Sequence, residues 1–283
     1  MGKRRLDSLL AERGLFSSRA QAAAAVMAGE VRVGSGERRA AKPGELVDAE
    51  ERLRVPERPR FASRGGIKLA NALAQSGVPV QGRRALDVGA STGGFTDCLL
   101  QAGACEVIAV DVGYGTLDHR LRTDSRVVVM ERVNARGLTP QMLQAARAKS
   151  GSAEDQLPDL ASIDVSFISL AKVLGAVLGC MSGGYQVLAL IKPQFEVGRG
   201  EVGKGGVVRH AHQRRAALVS VGAAALALGA NVLGYYSSGL PGPKGNLETF
   251  ILLADPAAAE ARGGGGAGVE RGRLEEMARE VEP

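Results

Sequence analysis

Apolar residues in the first sixty positions recur at helical spacing, and glycines and serines mark where the pattern breaks. Leucines three and four residues apart indicate an amphipathic helix, and a serine before an alanine-rich run is a favourable helix N-cap. A glycine after each run favours a helix stop. The predicted elements are a helix from Leu6 to Arg13 that stops at Gly14, a second helix capped by Ser17 or Ser18 that runs through Ala28 to Gly29, and β runs Glu30–Val33 and Glu45–Val47.

From Arg64 onward, short apolar runs of the strand type alternate with segments of helical character. This alternation is typical of an α/β protein with a mostly parallel sheet, so we predict a Rossmann-like fold for most of the chain. The predicted strands are Arg84–Val88, Val107–Val112, Val127–Met130, Leu160–Val165 and Gln186–Ile191, with Asn231–Tyr236 and Thr249–Ala254 as a closing pair.

One uncharged stretch, residues 216–243, is long enough in principle to span a bilayer. Glycines interrupt it, however, and a helix over 211–228 followed by the strand 231–236 accounts for the same residues. We therefore expect no stable membrane association. The basic N-terminus is not followed by an apolar run, so no signal peptide is expected.

Composition divides the chain into three predicted parts. Residues 50–63 form a charged linker with two prolines, which make such a segment stiff and extended. After Asp255 the chain becomes acidic and glycine-rich. We predict a small α+β domain over residues 1–60, which includes the start of the linker, an α/β domain over 61–254 and a flexible tail over 255–283 that can end in a short helix.

The positive charge of the chain is concentrated near its start. Residues 1–69 hold 15 Lys and Arg against 9 Asp and Glu, whereas residues 70–283 hold 21 of each. This asymmetry predicts a basic module attached to a neutral body. The cysteines Cys98, Cys105 and Cys180 lack CxxC spacing, which argues against a disulfide framework or a zinc site and favours the cytoplasm. Aromatic residues make up only 4%, which argues against an aromatic stacking platform for RNA.

The stretch LDSLLAERGLFSSRAQAAAAVMAGEVRVG resembles the S4 RNA-binding module. The resemblance implies that the second helix and the following strand form a basic ridge against structured RNA. Such contacts go to phosphates, which position the RNA without specifying its sequence. The alternative is a generic helical hairpin with exposed arginines. The arginines expected on the ridge are Arg4, Arg5, Arg13, Arg19 and Arg32.

A glycine-rich turn, DVGASTGGFTD over residues 87–97, follows the first strand of the α/β domain. Turns at this place bring backbone N–H groups close to a ligand. Ser91 replaces the middle glycine of a nicotinamide fingerprint, and a Walker-type Lys is missing from the turn. Asp111 ends the next strand, where a carboxylate can hold a ribose diol. The glycines of the turn thus lie between two acidic residues, Asp87 and Asp111, and the segment has no phosphate-binding features. This combination points to S-adenosylmethionine. The alternative is a turn that merely packs the helix on the sheet.

Four charged residues lie at predicted strand or helix ends of this apolar domain. Lys68 opens the first helix, Asp164 and Lys192 each follow a strand, and Glu248 precedes one. The carboxyl ends of the strands are where α/β folds place reacting groups, so Glu248 reaches that edge only if its strand is antiparallel. A lysine crowded by a second cation loses its proton more readily and can act as a base. For each of these residues taken alone, the alternative is a charged side chain on a loop that is exposed to solvent.

The α/β domain resembles the FtsJ-like RNA ribose methyltransferases, and the chain over residues 3–254 is similar to the TlyA family, also labelled hemolysin-like. The motifs that carry the resemblance are SRGGIKL, DVGASTGGFTD, VDVGYG, DVSFISL, IKPQFE and GNLETF, in this order. The resemblance implies transfer of a methyl group from S-adenosylmethionine to a ribose 2′-hydroxyl, of a cytidine in ribosomal RNA, with ribosomal subunits as partners and no metal.

The resemblance also implies roles for single residues. Lys192 would be the base, Lys68 and Glu248 would orient it and the ribose, and Asp164 would pair with a lysine. The expected catalytic residues are thus Lys68, Asp164, Lys192 and Glu248. The residues expected to bind the cofactor are Asp87, Gly89, Ser91, Gly93, Gly94, Phe95, Asp111, Val112 and Asn134.

Three other functions stay open at this point. The uncharged stretch and the hemolysin label allow a membrane-active protein, and the S4 module allows a ribosome-binding protein without catalytic activity. A methyltransferase acting on a base or a small molecule is the third. The two lysines argue against it, because an aromatic amine does not need a paired-lysine base.

Overall fold

The computed structural model describes residues 2–16, 18–55, 59–151, 156–257 and 271–282. The chain divides into two compact units, residues 1–59 and 60–283. The first unit has a hydrophobic core of its own, and the second has apolar cores on both faces of its central sheet.

The first unit is a small α+β structure with two helices and short antiparallel strands. Both predicted helices are confirmed. The Oγ atom of Ser18 caps the second helix by accepting a hydrogen bond from the backbone N–H of Gln21 (3.3 Å), and the helix ends at Gly29. Ser17, the other candidate cap, lies outside the described residues. The elements are β1 (Lys3–Arg5), α1 (Leu6–Glu12), α2 (Arg19–Ala28), β2 (Arg32–Val33), β3 (Arg38–Arg39), β4 (Leu46–Asp48) and β5 (Leu53–Arg54).

The second unit is built on one seven-stranded sheet. Its elements are α3 (Arg64–Ser76), β6 (Arg84–Val88), α4 (Gly94–Gln101), β7 (Glu106–Val110), α5 (His119–Arg122), β8 (Val127–Met130), α6 (Pro140–Lys149), β9 (Leu160–Ile163), α7 (Leu174–Leu178), β10 (Gln186–Ile191), α8 (Pro193–Glu196), α9 (Ala211–Ala227), β11 (Asn231–Ser237), β12 (Thr249–Ala254) and α10 (Arg271–Val281). All predicted strands of this unit are present. β7 and β9 end two residues earlier than predicted, so Asp111 and Asp164 lie in the loops beyond them.

The strand order in this sheet is β11-β12-β10-β9-β6-β7-β8. The five strands from β10 to β8 are parallel, and β12 is antiparallel to both of its neighbours. The predicted Rossmann-like sheet is therefore confirmed. After β6 the chain continues to β7 on one side, and after β9 it continues to β10 on the other side. Because the connections leave these two neighbouring strands in opposite directions, a crevice opens beyond their carboxyl ends.

The uncharged stretch over residues 216–243 is part of the sheet domain. It contains most of α9 and all of β11, and the Tyr235 hydroxyl donates a hydrogen bond to the backbone oxygen of Leu218 (2.8 Å), which ties the two together. In the part of the chain that the structure describes, no helix has the length and apolar character needed to cross a membrane.

The end of the chain differs from the flexible tail predicted for residues 255–283. Helix α10 packs on α9 and β11, and it buries Leu274, Met277 and Ala278 in the core of the second unit. These residues have helical spacing and form one apolar face, which drives the packing. The prediction of a flexible tail is therefore wrong for this helix, and residues 258–270 lie outside the described residues.

Candidate active site

The turn after β6 lies against the end of β9. Gly89 has φ of +87°, and a Cβ atom at this position would lie 2.5 Å from the backbone oxygen of Asp164. Its N–H also donates a hydrogen bond to the backbone oxygen of Val110 (2.8 Å). Only glycine combines this φ with so close an approach. The turn thus brings the ends of β6, β7 and β9 together at the crevice.

The other two glycines of the turn serve packing. Gly93 has φ of +91°, and a Cβ there would lie 2.3 Å from a methyl carbon of Leu121. A Cβ at Gly94 would lie 2.1 Å from the Oγ atom of Ser63. Gly93 therefore makes room for the helix α5, which sequence reasoning did not foresee when it placed this residue at the cofactor.

Asp111 lies in a cavity of about 430 Å³ at the ends of β6, β7 and β9, which we call the Asp111 cavity. Its carboxylate accepts hydrogen bonds from the backbone N–H groups of Ser91 (2.7 Å) and Gly113 (2.6 Å), which fix its orientation. A carboxylate has about four acceptor sites, so two remain for a ligand. Of the predicted cofactor residues, those that line this cavity are Gly89, Ser91, Asp111, Val112 and Asn134.

Asp87 is not brought to either of the cavities at the crevice. Its carboxylate is fully buried below the turn and accepts hydrogen bonds from the hydroxyls of Thr96 (2.6 Å) and Ser162 (2.9 Å). Burial raises the pKa of Asp87 to about 6, although both hydroxyls favour the charged form. The residue therefore supports the turn from beneath and lies outside the lining of both cavities.

The four predicted catalytic residues line a second cavity of about 400 Å³, which we call the lysine cavity. Lys68 is in α3 and Lys192 follows β10, while Asp164 follows β9. Glu248 directly precedes β12, whose first residue is paired with the last residue of β10. The antiparallel direction required for Glu248 is thus confirmed. Gly94 and Phe95 also line this cavity and not the Asp111 cavity.

Two ion pairs organise the lysine cavity. Lys68 Nζ lies 2.5 Å from Glu248 Oε2, and these side chains are only 9% and 1% exposed. Lys192 Nζ lies 2.6 Å from Asp164 Oδ1 and 2.8 Å from the Oγ atom of Ser166, with side-chain exposures of 12% for Lys192 and 26% for Asp164. Both pairs line the cavity, and Asp164 is the most exposed of the four side chains.

The Asp111 cavity and the lysine cavity are neighbours. Both are lined by Gly89, Ser91 and Asp164. A ligand in the first cavity can therefore present a group to a second ligand at the lysines. This arrangement suits the transfer of a small group between two bound molecules.

Sequence reasoning missed an aromatic pair at the mouth of these cavities. Phe167 is 91% exposed, has φ of +64°, and its ring centroid lies 5.3 Å from that of Phe195. It lines the Asp111 cavity and, with Phe195, a further cavity that includes Lys192 and Glu248. The low aromatic content argued against base stacking, but the position of Phe167 three residues after Asp164 was a signal for it.

The predicted basic ridge lies in the first unit. Arg4 pairs with Glu12 (2.6 Å), and both Arg5 (2.8 Å) and Arg19 (3.1 Å) pair with Asp7. Hydrogen bonds from Arg5, supported by Arg19, hold the pKa of the Asp7 carboxyl well below its usual range. These arginines remain about half exposed, and a guanidinium has five donors, so each can also contact a phosphate.

The two remaining ridge arginines differ in their surroundings. Arg13 donates hydrogen bonds to the backbone oxygens of Glu51 (2.7 Å) and Ala49 (2.5 Å), so it ties α1 to the loop after β4. Arg32 lies in β2 and is partly buried. Arg13 therefore stabilises the unit as well as adding charge to it.

Comparison with known proteins agrees with this architecture. Residues 61–255 match the FtsJ-like methyltransferase family, and residues 4–53 match the S4 domain. Over 252 residues the chain is 47% identical to the 16S/23S rRNA (cytidine-2′-O)-methyltransferase TlyA of Mycobacterium tuberculosis, covering 88% of this chain and 89% of that protein. It is 36% identical to hemolysin A of Brachyspira hyodysenteriae over 244 residues, 86% of this chain and 97% of that protein.

A solved structure is similar to this chain. A hemolysin-like protein from Streptococcus thermophilus is 38% identical, with a TM-score of 0.66 and coverage of 99% of this chain and 96% of that one. These matches span both units and all the motifs around the crevice. The chain therefore belongs to the FtsJ-like methyltransferases, in the group that carries an S4 domain before the methyltransferase domain.

Proposed function

We propose that this protein transfers a methyl group from S-adenosylmethionine to the ribose 2′-hydroxyl of a cytidine in ribosomal RNA. The observation that carries the proposal is the junction of the two cavities at Asp164: a carboxylate suited to a nucleoside lies on one side and two lysine–carboxylate pairs lie on the other. An rRNA substrate would place the reaction in the cytoplasm.

The residues of the Asp111 cavity fit an adenosine. Asp111 keeps two acceptor sites that a ribose diol can use, and the apolar side chains of Val110, Val133, Ile168 and Val173 offer walls for a flat base. The cofactor, when bound, supplies a methyl group on a positively charged sulfur, which is a good leaving group. Gly89 and Ser91 lie where both cavities meet, so the reactive end of the ligand would lie beside them.

Lys192 is the base in this proposal. A ribose hydroxyl is a weak nucleophile, so its proton must leave as the new bond forms. Lys192 Nζ is paired with Asp164, the most exposed carboxylate of the cavity, and in its neutral form it can accept that proton. Asp164, 2.6 Å away, then stabilises the ammonium ion that results.

Lys68 and Glu248 hold the substrate in place. Their pair is buried at the back of the lysine cavity, and its charges are desolvated, which makes hydrogen bonds to a ribose hydroxyl stronger there than in water. Positioning of this kind supplies much of the catalysis when the leaving group is already good.

Phe167 would hold the base of the target nucleotide. An enzyme that acts on a nucleotide within structured RNA takes it out of the stack, at a cost of a few kcal/mol. An exposed ring beside the lysine cavity can repay part of this cost, because stacking of a base on an aromatic side chain contributes about 1–3 kcal/mol. The S4 unit would bind the phosphates of the surrounding RNA.

Methyl transfer to separated 30S and 50S subunits tests the proposal. Subunits lacking the modification are incubated with the protein and labelled S-adenosylmethionine, and the modified position is mapped by primer extension at low dNTP concentration. We expect a stop at one cytidine, absent with Lys192→Met. Incorporation no greater than with Lys192→Met, together with leakage of dye from liposomes, would instead support the membrane-active alternative.

A further inference from the structure

A groove runs between α9 and α10 on the outside of the second unit. The two helices are antiparallel: Arg214 pairs with Glu282 (2.8 Å) at one end, and Gly222 faces Leu274 at the other. Their apolar faces are turned to the core, and their outer faces enclose a cavity of about 410 Å³. None of the motifs of the active site contributes to it.

The groove is positively charged in a part of the chain, residues 70–283, that has no net charge overall. Its charged lining residues are Arg215, Arg271 and Arg279 against the single acid Glu275, whereas residues 70–283 as a whole hold 21 basic and 21 acidic residues. His212 stands at one end, and the small side chains of Ala216, Ser220 and Ala223 leave its floor open. The excess of positive charge in the groove therefore comes from where the fold places these arginines, and not from a surplus of basic residues in this part of the sequence.

Two of these arginines are available to a ligand. Arg271 lies 3.8 Å and Arg279 lies 3.9 Å from Glu275, distances beyond a normal hydrogen bond, and both side chains are largely exposed. Exposed ion pairs of this kind contribute between about 0 and 1 kcal/mol, so they yield easily to a phosphate. Arg215 is different, because it donates a hydrogen bond to the backbone oxygen of Glu282 (3.0 Å) and so holds the end of α10.

We propose that this groove binds the sugar-phosphate backbone of the RNA substrate, at a distance from the reacting nucleotide. This inference rests on the proposed function. Arg271 and Arg279 are eight residues apart on one face of α10, roughly 12 Å along the helix. Phosphates repeat about every 3.4 Å of axis along one strand of a duplex, so the groove spans several of them. The planar guanidinium matches phosphate geometry.

The position of the groove relative to the lysine cavity supports this assignment. Val281 and Glu282, which follow Arg279 in sequence, line a small cavity together with Arg214 and Glu248. Glu282 adds no free negative charge there, because it is buried and paired with Arg214. The residues after Arg279 and Glu248 of the active site therefore border the same small cavity.

The test compares two variants that each remove two arginine charges. Arg271→Gln/Arg279→Gln alters the groove. Arg126→Gln/Arg273→Gln is the matched control, since Arg273 is on α10 but pairs with Glu276 outside the groove, and Arg126 pairs with Asp124. Binding of a protein-free rRNA fragment is measured against salt concentration, together with KM and kcat for methylation and with affinity for S-adenosylmethionine.

We expect the groove variant to lose two phosphate contacts. The slope of log K against log salt should fall by about 1.4–1.8, which weakens binding roughly 25–60-fold at about 0.1 M salt. KM for RNA should rise, while kcat and cofactor affinity stay unchanged. Arg271→Lys/Arg279→Lys keeps both charges and should retain the wild-type slope, which separates loss of charge from damage to the helix.

Equal salt slopes for the groove variant and the control would overturn the inference. So would weaker binding to intact subunits with unchanged binding to protein-free rRNA, because that result indicates an acidic protein partner. The proposed function fails in a different way: the wild-type protein then methylates no rRNA, whatever the two variants do in the binding assay.

Discussion

The buried pair Lys68–Glu248 offers a sharp separation between catalysis and stability. Lys68→Met and Glu248→Met each remove one charge and keep an unbranched side chain of similar length. Because these side chains are 9% and 1% exposed, each single change leaves a buried charge without its partner. The free energy of unfolding of the second unit should fall by about 3–5 kcal/mol in either single variant.

The double variant Lys68→Met/Glu248→Met should behave differently. Replacing a buried ion pair with apolar residues of similar volume is often neutral or stabilising, so most of the lost stability should return. For a unit of this size, each 1 kcal/mol corresponds to about 2–4 °C in Tm, so the single variants should melt roughly 6–20 °C lower and the double variant near wild type. Calorimetry resolves these differences.

Methyl transfer must be measured on the same three variants. If the pair positions the ribose, the double variant regains stability but stays inactive. Arg126→Met, which breaks the exposed pair with Asp124, is the control and should change neither quantity appreciably. A double variant that recovers stability and methyl transfer together would show that the pair only supports the fold, and the reasoning about the lysine cavity would be refuted.

Four further predictions address other parts of the molecule. Lys192→Met should lower the rate of methyl transfer by about 10²–10⁴, whereas Lys172→Met on an exposed turn should not, and a retained rate in Lys192→Met contradicts this. Asp111→Ala should weaken S-adenosylmethionine binding by about 1.5–3 kcal/mol in calorimetry, and unchanged affinity in a folded variant removes Asp111 from the site. Deletion of residues 1–59 should weaken rRNA binding and leave cofactor binding intact; equal methylation of rRNA by the truncated and full chains contradicts it. Since the pKa of Asp87 is raised to about 6, its buried carboxyl is protonated in the native state over a window where the unfolded chain has lost the proton. The stability contributed by this group is lost as pH rises from about 4 to 6. The free energy of unfolding of Asp87→Asn, measured by urea unfolding, should therefore rise relative to that of wild type by about 3 kcal/mol between about pH 4 and 7. A difference between the two proteins that does not change with pH contradicts this.

The convergence of the four proposed catalytic residues on one cavity could be predicted, because the position of a residue at a strand end needs only local patterns. Lys192 and Glu248 are 56 positions apart in sequence, yet the apolar strands that flank them predicted where each would lie, and the antiparallel register brings them together. The strand ends at Asp111 and Asp164 were predicted two residues late, because valines continue the apolar pattern after the ladder has ended.

The failures have a common physical cause, which is dependence on tertiary contacts. Asp87 has the sequence position of a ligand contact, but the hydroxyls of Thr96 and Ser162 enclose it, and Ser162 comes from a strand 75 residues away. The packing of helix α10 on the second unit was not predicted, since the glycines before it dominate the composition of the tail. The basic groove between α9 and α10 exists only once the two helices are packed together.

The chemical position of the transferred methyl group tests ribose methylation most directly. Unmodified rRNA is incubated with the protein and S-adenosylmethionine carrying an isotopically labelled methyl group, then digested to nucleosides and resolved by mass spectrometry. Transfer to a 2′-hydroxyl predicts that the label appears in 2′-O-methylcytidine and stays with the sugar when the glycosidic bond is broken. Label that stays with the base, or a wild-type product no different from that of Lys192→Met, would contradict it.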